Sequence, residues 1–257
     1  CEATSGNMGV SFAWLAAQRG YKCVIIMPSN MSIERKKTLE LYGAELIEVD
    51  PGNFDGAIAL RNQLCEENGW FNCNQFGSQE NIIAHQETTA EEILKQVNEQ
   101  GGERIVYEGI GSGGAVQFDV LIGPKISAFV SGTGTGGTLM GAGLSIKEEH
   151  PNMKIVAVEP LESPVMSGGE PGLHGIQGIG DGSKFLVDLD KVDEIICVAT
   201  EDARVRAQRL AKEQGLFVGI SAGANILAAE KWIQQNKPDG VVVTFLCDRG
   251  DRYFSCL

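Results

Sequence analysis

Short runs of β-branched residues punctuate the chain at 24–27, 45–49, 126–131, 155–159, 195–199 and 241–246, and most are apolar at successive positions. A strand with one wet face would alternate, so these runs predict strands buried on both sides, as in a parallel sheet. Helical spacing fills the gaps at 10–19, 33–42, 55–68, 87–99, 139–149, 201–214 and 224–235. Thr200 stands as an N-cap before Glu201 and Asp202, and Gly215 follows as a stop. Such alternation predicts an α/β fold in which crossover helices join parallel strands.

A break at Phe76-Gly-Ser-Gln-Glu-Asn81 predicts two units, a smaller one at 1–80 and a larger one at 81–257. The stretch 101–125, with Gly111-Ser-Gly-Gly114 at its centre, has weak periodicity. It reads as an extended surface insertion or a poorly formed strand and turn. The chain opens on Cys1-Glu-Ala-Thr-Ser-Gly-Asn7, a loop that runs straight into a helix with no strand ahead of it. A parallel sheet wants a strand there, so we expect an N-terminal portion to be missing.

Acidic residues number 34 against 21 basic, a net charge of −13 with neutral histidines. That balance disfavours a nucleic-acid binder, which needs a basic stripe. No apolar run approaches the ~20 residues that cross a bilayer. The 7 cysteines form no CxxC pair and only 3 histidines accompany them, so a structural zinc site is poorly supported and no metal is expected. Reduced thiols in the cytoplasm fit this pattern.

Loops between these elements carry the chemistry. Ser131-Gly-Thr-Gly-Thr-Gly-Gly-Thr138 follows an apolar strand and opens a helix. There, backbone N–H groups and the helix dipole bind anions, glycines allow close approach, and threonine hydroxyls add donors. Gly132, Gly134 and Gly137 also satisfy GxGxxG, with Glu159 placed as a ribose-binding acid would be, so a dinucleotide fold matches on local spacing. Thr4-Ser-Gly-Asn-Met-Gly9 clusters hydroxyl, amide and backbone donors suited to a carboxylate, or to a helix cap. In Val218-Gly-Ile-Ser-Ala-Gly-Ala224, Ser221 is a cap or a ligand-binding hydroxyl. His85, His150 and His174 belong to no nucleophile–base–acid triad.

Taken together the loops resemble the cysteine synthase (O-acetylserine sulfhydrylase) and β-cyanoalanine synthase family of fold-type II pyridoxal-phosphate enzymes. Glu2-Ala-Thr-Ser-Gly-Asn-Met-Gly9 is similar to the family's substrate loop. Met27-Pro, Tyr42-Gly-Ala-Glu45, Asn74-Gln-Phe76, Glu87-Thr-Thr89, Gly175-Ile-Gln-Gly-Ile-Gly180, Gly219-Ile-Ser-Ala-Gly-Ala224 and Gly250-Asp-Arg-Tyr253 follow in family order. The resemblance implies two open, twisted, mainly parallel sheets flanked by helices, as in the tryptophan synthase β-subunit. It implies pyridoxal 5′-phosphate as cofactor, small amino-acid substrates and a homodimer. Asn7 would bond the cofactor's phenolic oxygen, and Gly134, Thr135, Gly136, Gly137 and Thr138 would cradle its phosphate. Ser221 would meet the pyridine nitrogen, and Thr4, Ser5, Gly6 and Gln75 would hold the substrate carboxylate.

The implied reaction is β-replacement on a serine derivative, giving cysteine from O-acetylserine and sulfide. Met8 also looks like β-cyanoalanine synthases, which use cysteine and cyanide. The family's Schiff-base lysine lies upstream of the Thr-Ser-Gly-Asn loop, and only Cys1, Glu2 and Ala3 stand there. A fragment of an active enzyme is the expectation. The alternatives are a catalytically impaired paralogue that senses a metabolite or binds a protein, and a nicotinamide-dependent dehydrogenase built on GxGxxG and Glu159.

Overall fold

The computed structural model describes residues 1–4, 6–100, 103–111, 114–122 and 124–257, giving for 103–111 and 114–122 the backbone alone. Along the chain run β1 (Glu2–Ala3), α1 (Asn7–Arg19), β2 (Val24–Pro28), α2 (Ile33–Leu41), β3 (Glu45–Val49) and α3 (Phe54–Asn68). The strands pair in parallel in the order β1-β2-β3. Successive β2 side chains serve opposite faces, as a strand period of two demands. Ile25 and Met27 pack with Val10, Ala13 and Leu39 of α1 and α2, while Val24 and Ile26 pack with Ala57 and Cys65 of α3. The continuous apolar run therefore reflects two separate cores, one on each face.

One expectation needs correcting here. The opening residues are not loop alone, because Glu2 and Ala3 pair with Ile25 and Ile26 as a short strand. Burial explains why the pattern was hard to see: Glu2 is a charged residue on a fully enclosed strand.

Next come α4 (Gln79–Ala84), a π-helical turn at His85–Ala90 and α5 (Glu91–Glu99). The helix expected at 87–99 thus begins earlier and carries a widened turn in its middle. β4 (Glu103–Gly111) and β5 (Gly114–Ile122) form an antiparallel pair, Glu103 facing Ile122 and Gly111 facing Gly114. The segment at 101–125 is accordingly strand-forming across most of its length.

The remainder holds β6 (Ile126–Gly132), α6 (Gly137–Glu149), β7 (Lys154–Pro160), β8 (Glu194–Val198), α7 (Thr200–Gln214), α8 (Ile220–Asn236) and β9 (Val241–Thr244), followed by a 3₁₀ turn at Gly250–Tyr253. Its parallel sheet has the order β8-β7-β6-β9, so β6 and β7 are central. On one face Ala128, Val130, Val156 and Val158 meet Ala224, Ala228 and Trp232 of α8. On the other, Phe129 and Ile155 meet Leu139, Ala142 and Ile146 of α6. Thr200 is not the cap of α7. Ala199 takes that position, and the Thr200 hydroxyl instead accepts from Gly175 N at 2.9 Å. Among the described residues no helix is long and apolar enough to cross a membrane.

Candidate active site

The C-terminal end of β6 delivers the chain into the glycine-rich turn. Gly132 N donates to Asn225 Oδ1 at 2.8 Å, and Asn225 Nδ2 donates to Phe245 O at 2.9 Å, so α8 braces the strand end. Gly180 N donates to Thr133 O at 2.9 Å, which ties the 175–182 loop to the same turn. The backbone then passes too close to its neighbours for side chains. A Cβ on Gly134 would lie 2.6 Å from Gly178 O, and Gly136 has φ of 90° with a notional Cβ 2.6 Å from Val187 Cγ2. Glycine is required at both places.

α6 starts at Gly137, and its N-cap residue Gly136 has no side chain to cap with, which leaves the amides after Gly137 to serve a ligand or solvent. Thr135 Oγ1 accepts from Gly137 N at 3.2 Å and from Asn81 Nδ2 at 2.9 Å. A hydroxyl has two acceptor sites and one proton. With both acceptor sites used, the Thr135 proton is free to be donated. Asn81 also donates to Gln75 O at 3.1 Å, which places the Gln75 loop beside this turn.

The other loops close around it. Thr4 N donates to Ile26 O at 2.9 Å, extending the β1 pairing, and Thr4 Oγ1 accepts from Gly6 N at 3.2 Å. Gln75 donates its backbone N to Glu2 Oε2 at 3.0 Å and its Nε2 to Ala3 O at 2.8 Å. Asn7 opens α1 and Ser221 occupies the first turn of α8. Thr4, Gly6, Asn7, Gln75, Gly134, Thr135, Gly136, Thr138 and Ser221 all line one cavity of about 670 Å³. That size suits a small organic ligand. Gly137, between the lining residues Gly136 and Thr138, is not itself in the lining, while Ser5 lies outside the described residues. No lysine is among the described residues of the lining.

Sequence reasoning missed Asn81, His85 and Asp181, which also line the cavity. The ring of His85 sits 3.1 Å (Nε2) from Thr138 Oγ1 and 2.9 Å (Nδ1) from Thr89 Oγ1. Burial pushes its pKa down, so the ring favours the neutral form. Asp181 is pushed up to about 7 by burial, opposed by the charge of Arg35. Glu159 has a different job from the one its spacing allowed. Its carboxylate accepts from Met166 N at 2.7 Å and from Ser167 N at 3.0 Å, and so ties down the loop after β7.

Residues 1–248 match the family described as pyridoxal-phosphate dependent enzyme. The chain belongs to that family. Among its relatives is a cysteine synthase of Staphylococcus aureus, 41% identical over 259 residues, covering 99% of this chain and 75% of the relative. A hydrogen sulfide-producing enzyme from Fusobacterium nucleatum superposes with a TM-score of 0.84 at 37% identity, covering 99% of this chain and 71% of that one. A cysteine synthase from Entamoeba histolytica does so with a TM-score of 0.81 at 35% identity, covering 99% and 69%. As a pyridoxal-phosphate-dependent transferase, this enzyme has a cofactor whose chemistry the donor set fits. A helix N-terminus with amides to spare after Gly137, two obligatory glycines and a free threonine proton make an anion cradle, and the same cavity holds amide and hydroxyl groups for the rest of the molecule.

Proposed function

We propose that this protein carries out β-replacement on a serine derivative, forming cysteine from O-acetylserine and sulfide. The observation that carries the reading is the convergence of the glycine-rich cradle, Asn7, Ser221, Thr4 and Gln75 on one cavity. Bound pyridoxal phosphate supplies an electron sink that lets the α-proton and the β-substituent of an amino acid leave.

The remaining work falls to the chain itself. Gly134, Thr135, Gly136, Gly137 and Thr138 would hold the phosphate through backbone amides and hydroxyls. The neutral Ser221 hydroxyl would face the pyridine nitrogen without forcing its protonation, which moderates the sink. Asn7 would donate to the ring oxygen. Thr4, Ser5, Gly6 and Gln75 would hold the substrate carboxylate. The unit at 1–80 would thus carry the substrate loops, and the unit at 81–257 the phosphate cradle.

The test is to supply the purified holoenzyme with O-acetylserine and sulfide and measure cysteine. Production that tracks cofactor content, and stops when the cofactor is removed, is expected. A protein loaded with cofactor that forms no cysteine would overturn the reading.

A further inference from the structure

Asn7 is held from behind by the C-terminal segment. Its Oδ1 accepts from the Arg252 guanidinium Nη1. A guanidinium carries five N–H donors and no acceptor, so it can face only the oxygen end of an amide. The Asn7 side chain is therefore fixed in one of its two orientations, with Nδ2 left for the cavity that Asn7 lines. Among the described residues Nδ2 has no partner.

The backbone of Arg252 is anchored independently of its side chain. Ser32 Oγ donates to Arg252 O at 2.8 Å. Arg35 Nη2 donates to the Tyr253 phenol at 2.6 Å, and that phenol donates to Asp248 Oδ2 at 2.6 Å. Ser255 donates through N and Oγ to Glu34 at 2.9 and 2.7 Å. The 3₁₀ turn is thus pinned to α2, and the Arg252 side chain is spent on Asn7.

We infer that Arg252 is a positioning residue that fixes the Asn7 amide so that only its N–H end meets the bound cofactor, an inference that rests on the proposed role of Asn7. The contact also polarises the amide. A cation at the carbonyl oxygen makes the distant N–H a better donor, as chained hydrogen bonds do.

The experiment compares Arg252→Met, Arg252→Lys, Arg252→Gln, Asn7→Ala and the double variant Asn7→Ala/Arg252→Met in the holoenzyme. Cofactor dissociation and the position of the bound cofactor's absorption band are the readouts. Arg252→Met should weaken retention about tenfold, the scale of one charge-assisted hydrogen bond. It should also move the band in the same direction as Asn7→Ala. Arg252→Lys, still donor-only, should restore most of both. Arg252→Gln offers an acceptor, lets the amide turn round and should lose much of the effect, which keeps the test valid should the Met variant fold poorly. In the Asn7→Ala background, Arg252→Met should add almost nothing.

Independent, additive losses would overturn the inference, as would unchanged affinity and band in both the Met and Gln variants while Asn7→Ala alters both. If Asn7→Ala itself changes neither readout, the cofactor role of Asn7 falls and the inference falls with it.

Discussion

Glu2 and Arg61 meet at 2.7 Å with both side chains sealed from solvent, and the same carboxylate accepts from Ala3 N at 2.8 Å and Gln75 N at 3.0 Å. One buried charge pair thereby joins the start of the Thr4–Asn7 loop to the Gln75 loop. Arg61 Nη2 reaches on to Asn74 Oδ1 at 3.3 Å, where Asn74 holds a φ of 48°. Asparagine tolerates that left-handed conformation better than most residues.

Removing one partner leaves the other charged, buried and uncompensated. Arg61→Met should therefore destabilise the protein by about 3–5 kcal/mol. The double variant Glu2→Gln/Arg61→Met should cost clearly less than the two single changes summed, because no bare charge remains. Urea unfolding of the four proteins measures this directly. Additive costs would show that the pair is not coupled.

The phosphate cradle makes a separate prediction. Thr135 has a proton to donate, and Thr138 lines the same turn beside His85. Thr135→Ala together with Thr138→Ala should lower cofactor retention by roughly tenfold or more, the scale of hydrogen bonds to a charged group. Cofactor content after exhaustive dialysis reports it. Equal retention in the variant would remove these hydroxyls from the cradle.

Much of this site was legible because its residues speak locally. A glycine-rich turn between a strand and a helix marks an anion-binding candidate, so Ser131 to Thr138 stands out from spacing. The choice of this cofactor's phosphate over a dinucleotide rests on the family resemblance. The strands were legible too, since β2 and β6 are buried on both faces and carry no alternation to confuse them. The misses share a cause: their partners are distant in sequence. Asn81 and His85 enter the cavity only because α4 and the π-helical turn pack on α6, where a Cβ on Gly141 would lie 2.7 Å from the His85 Cβ. Nothing in Gln79-Glu-Asn-Ile-Ile-Ala84 announces that packing. Glu159 misled for a different reason, since its partners are near in sequence. Spacing placed an acid at the end of the next strand, but its actual partners, Met166 and Ser167, come from a loop that spacing cannot fold.

Ser221 tests the electronic side of the proposal. A hydroxyl beside the ring nitrogen leaves that nitrogen's protonation unforced, whereas a carboxylate would favour the protonated form. Ser221→Asp should suppress β-replacement while the cradle at Gly134–Thr138 still retains the cofactor. Turnover measured at matched cofactor content checks this. Unchanged turnover would take Ser221 out of contact with the ring.

Asp181 makes the stability of the fold depend on pH, with a sign that follows from its environment. Burial raises its pKa from 3.8 to about 7, with Arg35 opposing. For an acid whose pKa is higher folded than unfolded, folding carries no penalty below the unfolded value. The penalty grows as pH rises from about 4 to about 7 and is constant above that. Asp181→Asn removes the ionisation and should leave stability near pH 4 little changed, while raising it above pH 7. The gain is a few kcal/mol at most, since each pKa unit corresponds to about 1.4 kcal/mol. Thermal melts of cofactor-free wild type and variant across pH 4–8 decide it. A gain that is the same at every pH would mean that Asp181 titrates alike in the folded and unfolded protein, without the raised pKa.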